Sequence, residues 1–294
     1  LLGNESIVIH YDNTYHKKIK NLPKVVDKFE KHFKVFEINK FEETDKILAD
    51  EKVDILYMLK YGKDDGQVSK VCKTVVHAVF TAEHPHGNVY LPISPAVKGF
   101  DKIKRYVPHM INLPEHNDNM RKELGIPEEA IVFGRYGGYD KFNLGMTQSS
   151  VVNCRNDNIY FLFANTKQFC KPRKNIIFLD MLVDNKENNS TNFAGYEKVK
   201  FINTCDAMIW GRGEGECFGL AIGEFSSKNK PIIATKQCKD KAHVFFLGDK
   251  GIWYDNPKQL QKIFINFKKN KDINYDCYGQ FSPKNVMNIF KKEF

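Results

Sequence analysis

The stretch between Gly211 and Ala234 constrains the fold of this 294-residue chain more than any other. It reads Gly-Arg-Gly-Glu-Gly-Glu-Cys-Phe-Gly-Leu-Ala-Ile-Gly-Glu-Phe-Ser-Ser-Lys-Asn-Lys-Pro-Ile-Ile-Ala, which predicts a loop, a helix from Phe218 to Phe225 and a short buried strand. A helix that begins at a glycine-rich loop points unpaired N–H groups and the positive end of its dipole at that loop. The stretch is therefore a candidate phosphate-binding site.

Two acids of this stretch, Glu216 and Glu224, are eight positions apart. On a helix this spacing is a little over two turns, so both face the same side at a separation of about 10 Å. Only a long ligand can contact both, and a nucleotide sugar is one, because carboxylates accept hydrogen bonds from vicinal hydroxyls. The alternative is that Glu216 complements the helix dipole and Glu224 lies on a solvated face.

A second glycine-rich loop follows a predicted strand at Ala130–Phe133. It reads Gly-Arg-Tyr-Gly-Gly-Tyr-Asp-Lys-Phe-Asn from Gly134, with Arg135 and Lys141 as its cations. Glycines and cations after a strand make a second phosphate-site candidate. An ordinary glycine turn with solvated cations is the alternative.

The segment from Glu216 to Glu224, with Phe-Gly inside it and Lys-Pro-Ile-Ile after it, resembles the Glu-x7-Glu signature of retaining GT-B glycosyltransferases of the family-4 type. Gly134-Arg135, with Lys141 six residues after the arginine, resembles the opening of that family's second domain. The preceding Arg-Lys-Glu-Leu-Gly-Ile-Pro resembles the usual lead-in. The resemblance covers residues from about 104 to 256.

The resemblance implies an α/β GT-B fold, with two Rossmann-like doubly wound domains that face each other across a cleft. Residues 1–112 are expected to form an acceptor-side domain, residues 113–270 a nucleotide-sugar-binding domain, and residues 271–294 a helix that returns to the first domain.

The same resemblance implies a site. Arg135 and Lys141 would bind the donor diphosphate, Glu216 the hydroxyls of the donor sugar, and Glu224 the ribose. His77 is the candidate for a histidine that approaches the donor sugar from the first domain. His84 or His86 are alternatives, and a buried core role for His77 is equally compatible. The expected donor-binding residues are Gly134, Gly215, Phe218, Gly219, Leu220 and Glu224.

Strands alternate with helices in both halves, which predicts parallel sheets that bind ligands at the carboxyl ends of their strands. The predicted strands of the first half are 6–11, 33–38, 53–58, 73–80 and 88–93, with a Lys-rich helical region over 13–32 broken at Pro23 and a helix over 41–51. In the second half, the further predicted strands are 158–163, 175–179, 199–202, 207–210, 231–234 and 251–254, and helices are predicted at 257–268 and after Ser282.

Lysine and arginine exceed the acids by nine, which favours an acidic partner. The Lys-rich region at 13–32 suits either contact with an anionic membrane or a solvated face. Seven scattered cysteines and the lack of a signal-peptide pattern favour a cytoplasmic protein that is peripheral to a membrane at most.

The predicted activity is retaining transfer of a sugar from a nucleoside diphosphate donor, UDP- or GDP-sugar, to a glycan, lipid or protein acceptor. No Asp-x-Asp motif occurs in the sequence, which argues against a metal-dependent transferase. Neither a metal nor another cofactor is therefore expected. The turn His84-Pro-His86 has no nearby carboxylate pair in the sequence and is interpreted as a loop.

Two other functions stay open at this point. One is a related GT-B activity on nucleotide sugars, a phosphorylase or an epimerase. The other is a non-catalytic binder of nucleic acid or another polyanion, which is disfavoured because the lysines are spread along the chain and no recognition-module signature occurs.

Overall fold

The computed structural model describes residues 5–13, 21, 23–182, 195–268, 270 and 272–294. The chain divides into two compact units. The first unit consists of the chain up to Val107 together with Met287–Phe294, and the second consists of Pro108–Val286. In both units strands alternate with helices, and the strands of each sheet run parallel.

The first unit contains two small parallel sheets. Its strands are β1 (Ile7–Tyr11), β2 (Lys34–Ile38), β3 (Ile55–Lys60), β4 (Lys73–Ala78) and β5 (Val89–Pro92), and its helices are α1 (Pro23–Glu30), α2 (Thr44–Asp50) and α3 (Phe100–Ile103). Strand β1 pairs with β2, and β4 lies between β3 and β5. Helix α1 begins at Pro23, which suits the first turn of a helix because proline lacks an N–H there. Of the predicted Lys-rich region, 14–20 and 22 lie outside the described residues.

The second unit is built on a six-stranded sheet. Its strands are β6 (Ile131–Tyr136), β7 (Ile159–Ala164), β8 (Ile176–Leu179), β9 (Ala207–Ile209), β10 (Gly215–Glu216), β11 (Ile232–Ala234), β12 (Asp240–Lys241) and β13 (Ile252–Trp253). Its helices are α4 (Gly145–Asn153), α5 (Tyr196–Thr204), α6 (Leu220–Ser227), α7 (Ala242–Leu247) and α8 (Pro257–Asn266), and α9 (Pro283–Glu293) begins in it. The strand order is β13-β11-β9-β6-β7-β8, whereas β10 and β12 form a separate two-stranded ribbon.

This order is that of a doubly wound fold. From β6 the chain moves outward through β7 and β8, then returns to the other side of β6 and moves outward through β9, β11 and β13. Strand β7 is apolar and buried along its whole length, as expected for a central parallel strand covered on both faces. Phe161 of this strand packs with Phe133 and Phe264 in the core, at ring distances of 5.0–5.7 Å.

One predicted strand is wrong. Residues 199–202 lie in α5, where Val199 and Ile202 are buried at helical spacing and the helix begins after Gly195, whose φ of 97° is left-handed. A four-residue apolar run suits a strand or a buried helix equally well, so periodicity alone could not separate them. Among the described residues, no helix is both long and apolar enough to cross a bilayer.

Gly134 leaves no room for a side chain, because a Cβ atom there would overlap Cys205 Sγ and lie 3.2 Å from the Phe201 ring. We expect Gly134→Ala to lower the free energy of unfolding by about 1–3 kcal/mol, as overpacked cores do. In the double variant Gly134→Ala/Cys205→Ala, removal of the sulfur should relieve part of that loss. Urea denaturation of the two single variants and the double variant measures this coupling, and strictly additive losses would contradict the proposed clash.

Candidate functional site

Both glycine-rich loops lie at the same edge of the second unit's sheet. One follows β6 and the other follows β9, and these two strands are hydrogen-bonded neighbours that run parallel. The strand order reverses between them, and in open α/β sheets ligands bind outside the carboxyl ends of strands at such a switch point. The geometry therefore brings together the two loops that the sequence motifs singled out.

Asn143 connects the two loops through hydrogen bonds. Its Oδ1 accepts a hydrogen bond from Gly213 N at 2.9 Å, and its Nδ2 donates to the Glu214 carboxylate at 3.2 Å. Leu144 N also donates to Gly211 O at 3.0 Å. These bonds hold the backbone of the second loop against the end of the first.

Arg135 is almost completely buried, with 5% of its surface exposed. Its guanidinium donates to Thr166 Oγ1 at 2.5 Å and to Gly138 O at 2.9 Å. Burial lowers the pKa of Arg135 to about 10, so the group is still a cation at neutral pH. Its donors therefore hold the first loop in shape while its charge lies inside the site.

Lys141 is the more accessible cation of the first loop, with 39% of its side chain exposed. Its Nζ lies 3.8 Å from Asp140 Oδ1. The pKa of Glu214 is lowered, mainly by its backbone hydrogen bond and by Asn143, and the positive charges of Lys141 and Arg212 contribute. Lys141 and Glu214 therefore lie close enough for their charges to interact.

Glu216 is held by two donors from its own loop. Trp210 Nε1 donates to Oε1 at 3.0 Å, and Arg212 Nη1 donates to Oε2 at 3.1 Å. Burial raises the pKa of Glu216, although Arg212, Trp210 and Arg135 act in the opposite direction. The carboxylate is thus oriented, largely removed from water and next to two guanidinium groups.

Arg212 is a site residue that the sequence reasoning missed. Besides Glu216, its Nε lies 3.6 Å from Glu214 Oε2, and a quarter of its side chain is exposed. A signal was present, because Arg212 stands between two glycines of the loop already chosen as a phosphate candidate. The second loop therefore supplies a cation of its own beside Lys141 and Arg135.

Glu224 lies on α6, with 12% of its side chain exposed. Its Oε1 accepts from Lys198 Nζ at 2.7 Å and its Oε2 accepts from Tyr136 OH at 2.6 Å. A carboxylate has about four lone-pair sites, so these two bonds leave capacity for a ligand hydroxyl. Neither Lys198 nor Tyr136 was predicted, since Lys198 lies outside both motifs and Tyr136 was not singled out within the second glycine-rich loop.

The start of α6 combines glycines with a core aromatic residue. Gly219 precedes Leu220 with a left-handed φ of 87°, and Leu220 is 47% exposed. Phe218 is buried among aromatic rings, and its carbonyl accepts a hydrogen bond from Tyr278 OH at 2.9 Å. Gly215 has a φ of 84°, and a Cβ atom there would overlap Asp240 O across the β10–β12 ribbon. Phe218 and Gly215 therefore have packing roles of their own.

His77 lies on β4 of the first unit and is 3% exposed. Its Nδ1 and Tyr57 OH are 2.6 Å apart, and its Nε2 is 2.6 Å from Val107 O. Both ring nitrogens are thus engaged within the first unit. Its catalytic role stays a prediction.

Several solved structures are similar to this one over nearly the whole length of the chain. Anabaena HepE in complex with UDP has a TM-score of 0.63 at 12% identity, with 98% of each chain covered. A glycosyltransferase from Rickettsia africae has a TM-score of 0.60 at 14% identity, covering 99% of this chain and 92% of that one. A Listeria monocytogenes protein, provisionally assigned as a UDP-N-acetylglucosamine 2-epimerase, has a TM-score of 0.50 at 10% identity and covers 97% of this chain and 94% of its own.

No protein-family model matches the sequence, and no curated protein matches it at a significant level. The structural similarity establishes that the chain has the α/β GT-B fold, as the sequence resemblance predicted. At these identities the fold does not carry the activity, because one fold hosts many functions.

The surroundings of Glu216 give a direct test of the site's electrostatics. We expect its carboxyl group to titrate above the ordinary range of glutamate, because burial raises its pKa. Arg212→Met should raise that pKa further, since the guanidinium charge lowers it. NMR titration of 13C-labelled glutamate, assigned with Glu216→Gln, measures both values.

Lys198→Met is the matched control for this titration, because its ammonium group binds Glu224. It should leave the Glu216 titration unchanged. A Glu216 pKa in the ordinary range, or one that falls in Arg212→Met, would contradict the proposed balance of burial and charge.

Proposed function

We propose that this chain is a glycosyltransferase that uses a nucleoside diphosphate sugar, UDP- or GDP-linked, and retains the anomeric configuration without a metal ion on the donor. The acceptor class is a glycan, a lipid or a protein. The observation that carries the proposal is the meeting of both motif loops at the switch point of a GT-B fold, with Arg135 and Arg212 next to the largely buried carboxylate of Glu216 and with Lys141 on the first loop.

The chemical difficulty in such a transfer is departure of the diphosphate from an oxocarbenium-like centre. Positive charge next to the leaving oxygens lowers that barrier, and it acts more strongly where water is excluded. Lys141 and Arg212 are the cations with exposed surface, and the N-terminus of α6 adds the N–H groups of its first turn. The buried guanidinium of Arg135 adds a further positive charge and holds the first loop in place.

The two glutamates have separate roles in this proposal. Glu216 accepts hydrogen bonds from the hydroxyls of the donor sugar, with Trp210 and Arg212 fixing its orientation. Glu224 accepts hydrogen bonds from the ribose, with Tyr136 and Lys198 as its supports. His77 is proposed to serve the same reaction from the first unit.

Epimerisation of a nucleotide sugar is the second candidate, because one structural neighbour carries that provisional assignment. The two activities differ in their products. A transferase releases a nucleoside diphosphate in the presence of an acceptor, whereas an epimerase returns an isomer of the intact donor. A phosphorylase would instead require free phosphate.

A peripheral contact with an anionic membrane is also proposed, at α1. Val25 and Phe29 are exposed one helical turn apart, and Phe33 is exposed just after the helix. Lys28 and Lys31 are exposed beside them. Apolar side chains flanked by lysines suit the headgroup region of a bilayer.

The experiment that tests the function is a thermal-shift screen against UDP, GDP, ADP, CDP and TDP and their common sugar conjugates, in buffer with chelator. Binding to the folded state alone raises the melting temperature, so stabilisation by one base identifies the donor. Incubation of that donor with candidate acceptors, followed by product analysis, separates transfer from epimerisation. No stabilisation by any nucleotide would contradict the proposal and make polyanions the next ligands to test.

Removal of one accessible cation tests the diphosphate site. We expect Lys141→Met and Arg212→Met each to weaken binding of the identified nucleoside diphosphate by about tenfold, the loss of one charge-assisted hydrogen bond. The rate of transfer should fall further, by about 10²-fold, if the charge acts mainly in the transition state. Isothermal titration calorimetry and initial rates measure the two effects.

Lys262→Met removes the same charge from an exposed position on α8 and is the matched control. Its binding and rate should be unchanged, since Lys262 is outside both loops. Equal losses in Lys262→Met and Lys141→Met would mean that only overall charge matters.

The proposed division between the two glutamates gives another test. Glu224→Gln should weaken binding of both the free nucleoside diphosphate and the nucleotide sugar by about 3- to 10-fold, because the ribose is common to both. Glu216→Gln should weaken only the nucleotide sugar. Calorimetry with both ligands decides the assignment, and the reverse pattern would exchange the two roles.

A further inference from the structure

The loop after β3 is fixed in the first unit beside the turn that precedes β5. Tyr90 OH donates a hydrogen bond to Gly62 O at 2.5 Å and also lies 2.9 Å from Thr81 O. Gly62 has a left-handed φ of 111°, and a Cβ atom there would overlap Thr81 O. This close backbone approach sets the position of the residues that follow, Asp64 and Asp65.

His86, in the turn before β5, has a defined tautomer and one unused nitrogen. Its Nδ1 is 2.7 Å from His84 O, and because a carbonyl can only accept, Nδ1 carries the proton. Its Nε2 is then a lone-pair acceptor, and this atom is buried without a hydrogen-bond partner. The ring packs against Tyr90 at 5.3 Å. A histidine that ligates a metal is commonly oriented by this kind of bond from its other nitrogen to a carbonyl.

Two carboxylates lie beside this imidazole. One ring nitrogen of His86 and one carboxylate oxygen each of Asp64 and Asp65 lie within 4.8 Å of one another. The Oδ1 atom of Asp64 accepts from Gly66 N, and the Oδ1 atom of Asp65 accepts from Gln67 N, both at 3.0 Å. These bonds orient the two side chains and leave the Oδ2 lone pairs for another ligand.

Lys60 is the one described cation that contacts this cluster directly. Its buried ammonium group is paired with Asp65 Oδ1 and donates to Gln67 O at 3.2 Å. It cancels one of the two carboxylate charges, so the cluster with a neutral imidazole keeps a net charge of about −1. A divalent cation would still be attracted, but less strongly than without the lysine.

We propose that Asp64, Asp65 and His86 bind a single divalent transition-metal ion of the Zn²⁺ type, with water completing its coordination. One imidazole and two carboxylates suit zinc, cobalt and manganese, and three protein ligands with an open position are common for zinc. The ion would tie the loop after β3 to the turn before β5. The site is built from residues of the first unit, whereas both motif loops belong to the second unit, and it does not depend on the proposed function.

The site cannot be recognised from the sequence, because His86 is about twenty residues away from Asp64 and Asp65. The turn around His86 lacks a carboxylate pair in its own stretch of chain, so the sequence predicts a loop there and not a metal site. The folded chain brings the Asp64–Asp65 pair to this turn from the loop after β3.

The test uses the full chain without a histidine tag, stripped with chelator, dialysed and kept reduced. Zn²⁺ titration by calorimetry should show one saturable site, and Co²⁺ absorption should show nitrogen and oxygen ligation without a thiolate charge-transfer band. His86→Ala and Asp64→Asn should each weaken Zn²⁺ binding by at least about tenfold, as loss of a ligand does. Circular dichroism establishes that each variant is folded.

Two further variants separate the site from nonspecific effects. His84→Ala removes the neighbouring imidazole but keeps the carbonyl that orients His86, so it should bind Zn²⁺ as the unaltered chain does. Lys60→Met should bind Zn²⁺ more tightly, because it removes the opposing charge. The proposal is overturned by the absence of a saturable site, by a thiolate band, by equal losses in His84→Ala and His86→Ala, or by unchanged binding in Asp64→Asn.

Discussion

The fold of the second unit depends on one ion pair between the segments that lead into β6 and β9, where the strand order of the sheet reverses. Asp206, just before β9, accepts from Arg121 Nη2 at 2.9 Å and from Val132 N of β6 at 2.8 Å. Arg121 also donates to three main-chain carbonyls between Pro127 and Ala130, so the segment leading into β6 is fixed to the start of β9. Burial offsets much of the Coulombic attraction of such a pair. Its contribution to the fold is therefore that it satisfies backbone hydrogen-bonding groups and sets the register of the two strands. With these two strands in register, the loops at their far ends must meet.

Where those loops meet, the cationic side chains already lie close to acidic ones. Arg135, Lys141 and Arg212 lie beside Glu216, Glu214 and Asp140, so these side chains comprise three cations and three acids. A diphosphate that entered would compete with these acids for the same cations. The side chains of Glu214 and Asp140 are 48% and 69% exposed and can turn to water at little cost, whereas Glu216 is held by Trp210. The exposed acids are therefore the ones that a ligand anion would replace.

Much of the architecture could be predicted from the sequence, because strand and helix periodicity and glycine punctuation are local. The helices at Pro257 and Pro283 follow from that local pattern, and the meeting of both motif loops follows from the topology of parallel sheets. The GT-B fold was instead implied by the family resemblance of the two motifs. The side-chain partners did not follow. Tyr136 and Lys198 reach Glu224 from 88 and 26 positions away, and such contacts exist only once the fold is formed.

The glycines and cations of a motif can be required for ligand binding or for folding, and the sequence cannot separate these two requirements. Gly134 and Gly215 suit a close approach of ligand, yet in each the backbone already lies too close to a neighbour for any side chain. Arg135 suits a diphosphate, yet its guanidinium holds Thr166 and Gly138. Loss of activity on replacing any of these three would therefore not distinguish binding from folding. Lys141, whose side chain is 39% exposed and whose Nζ lies 3.8 Å from Asp140, is the motif residue whose replacement reports on the ligand itself.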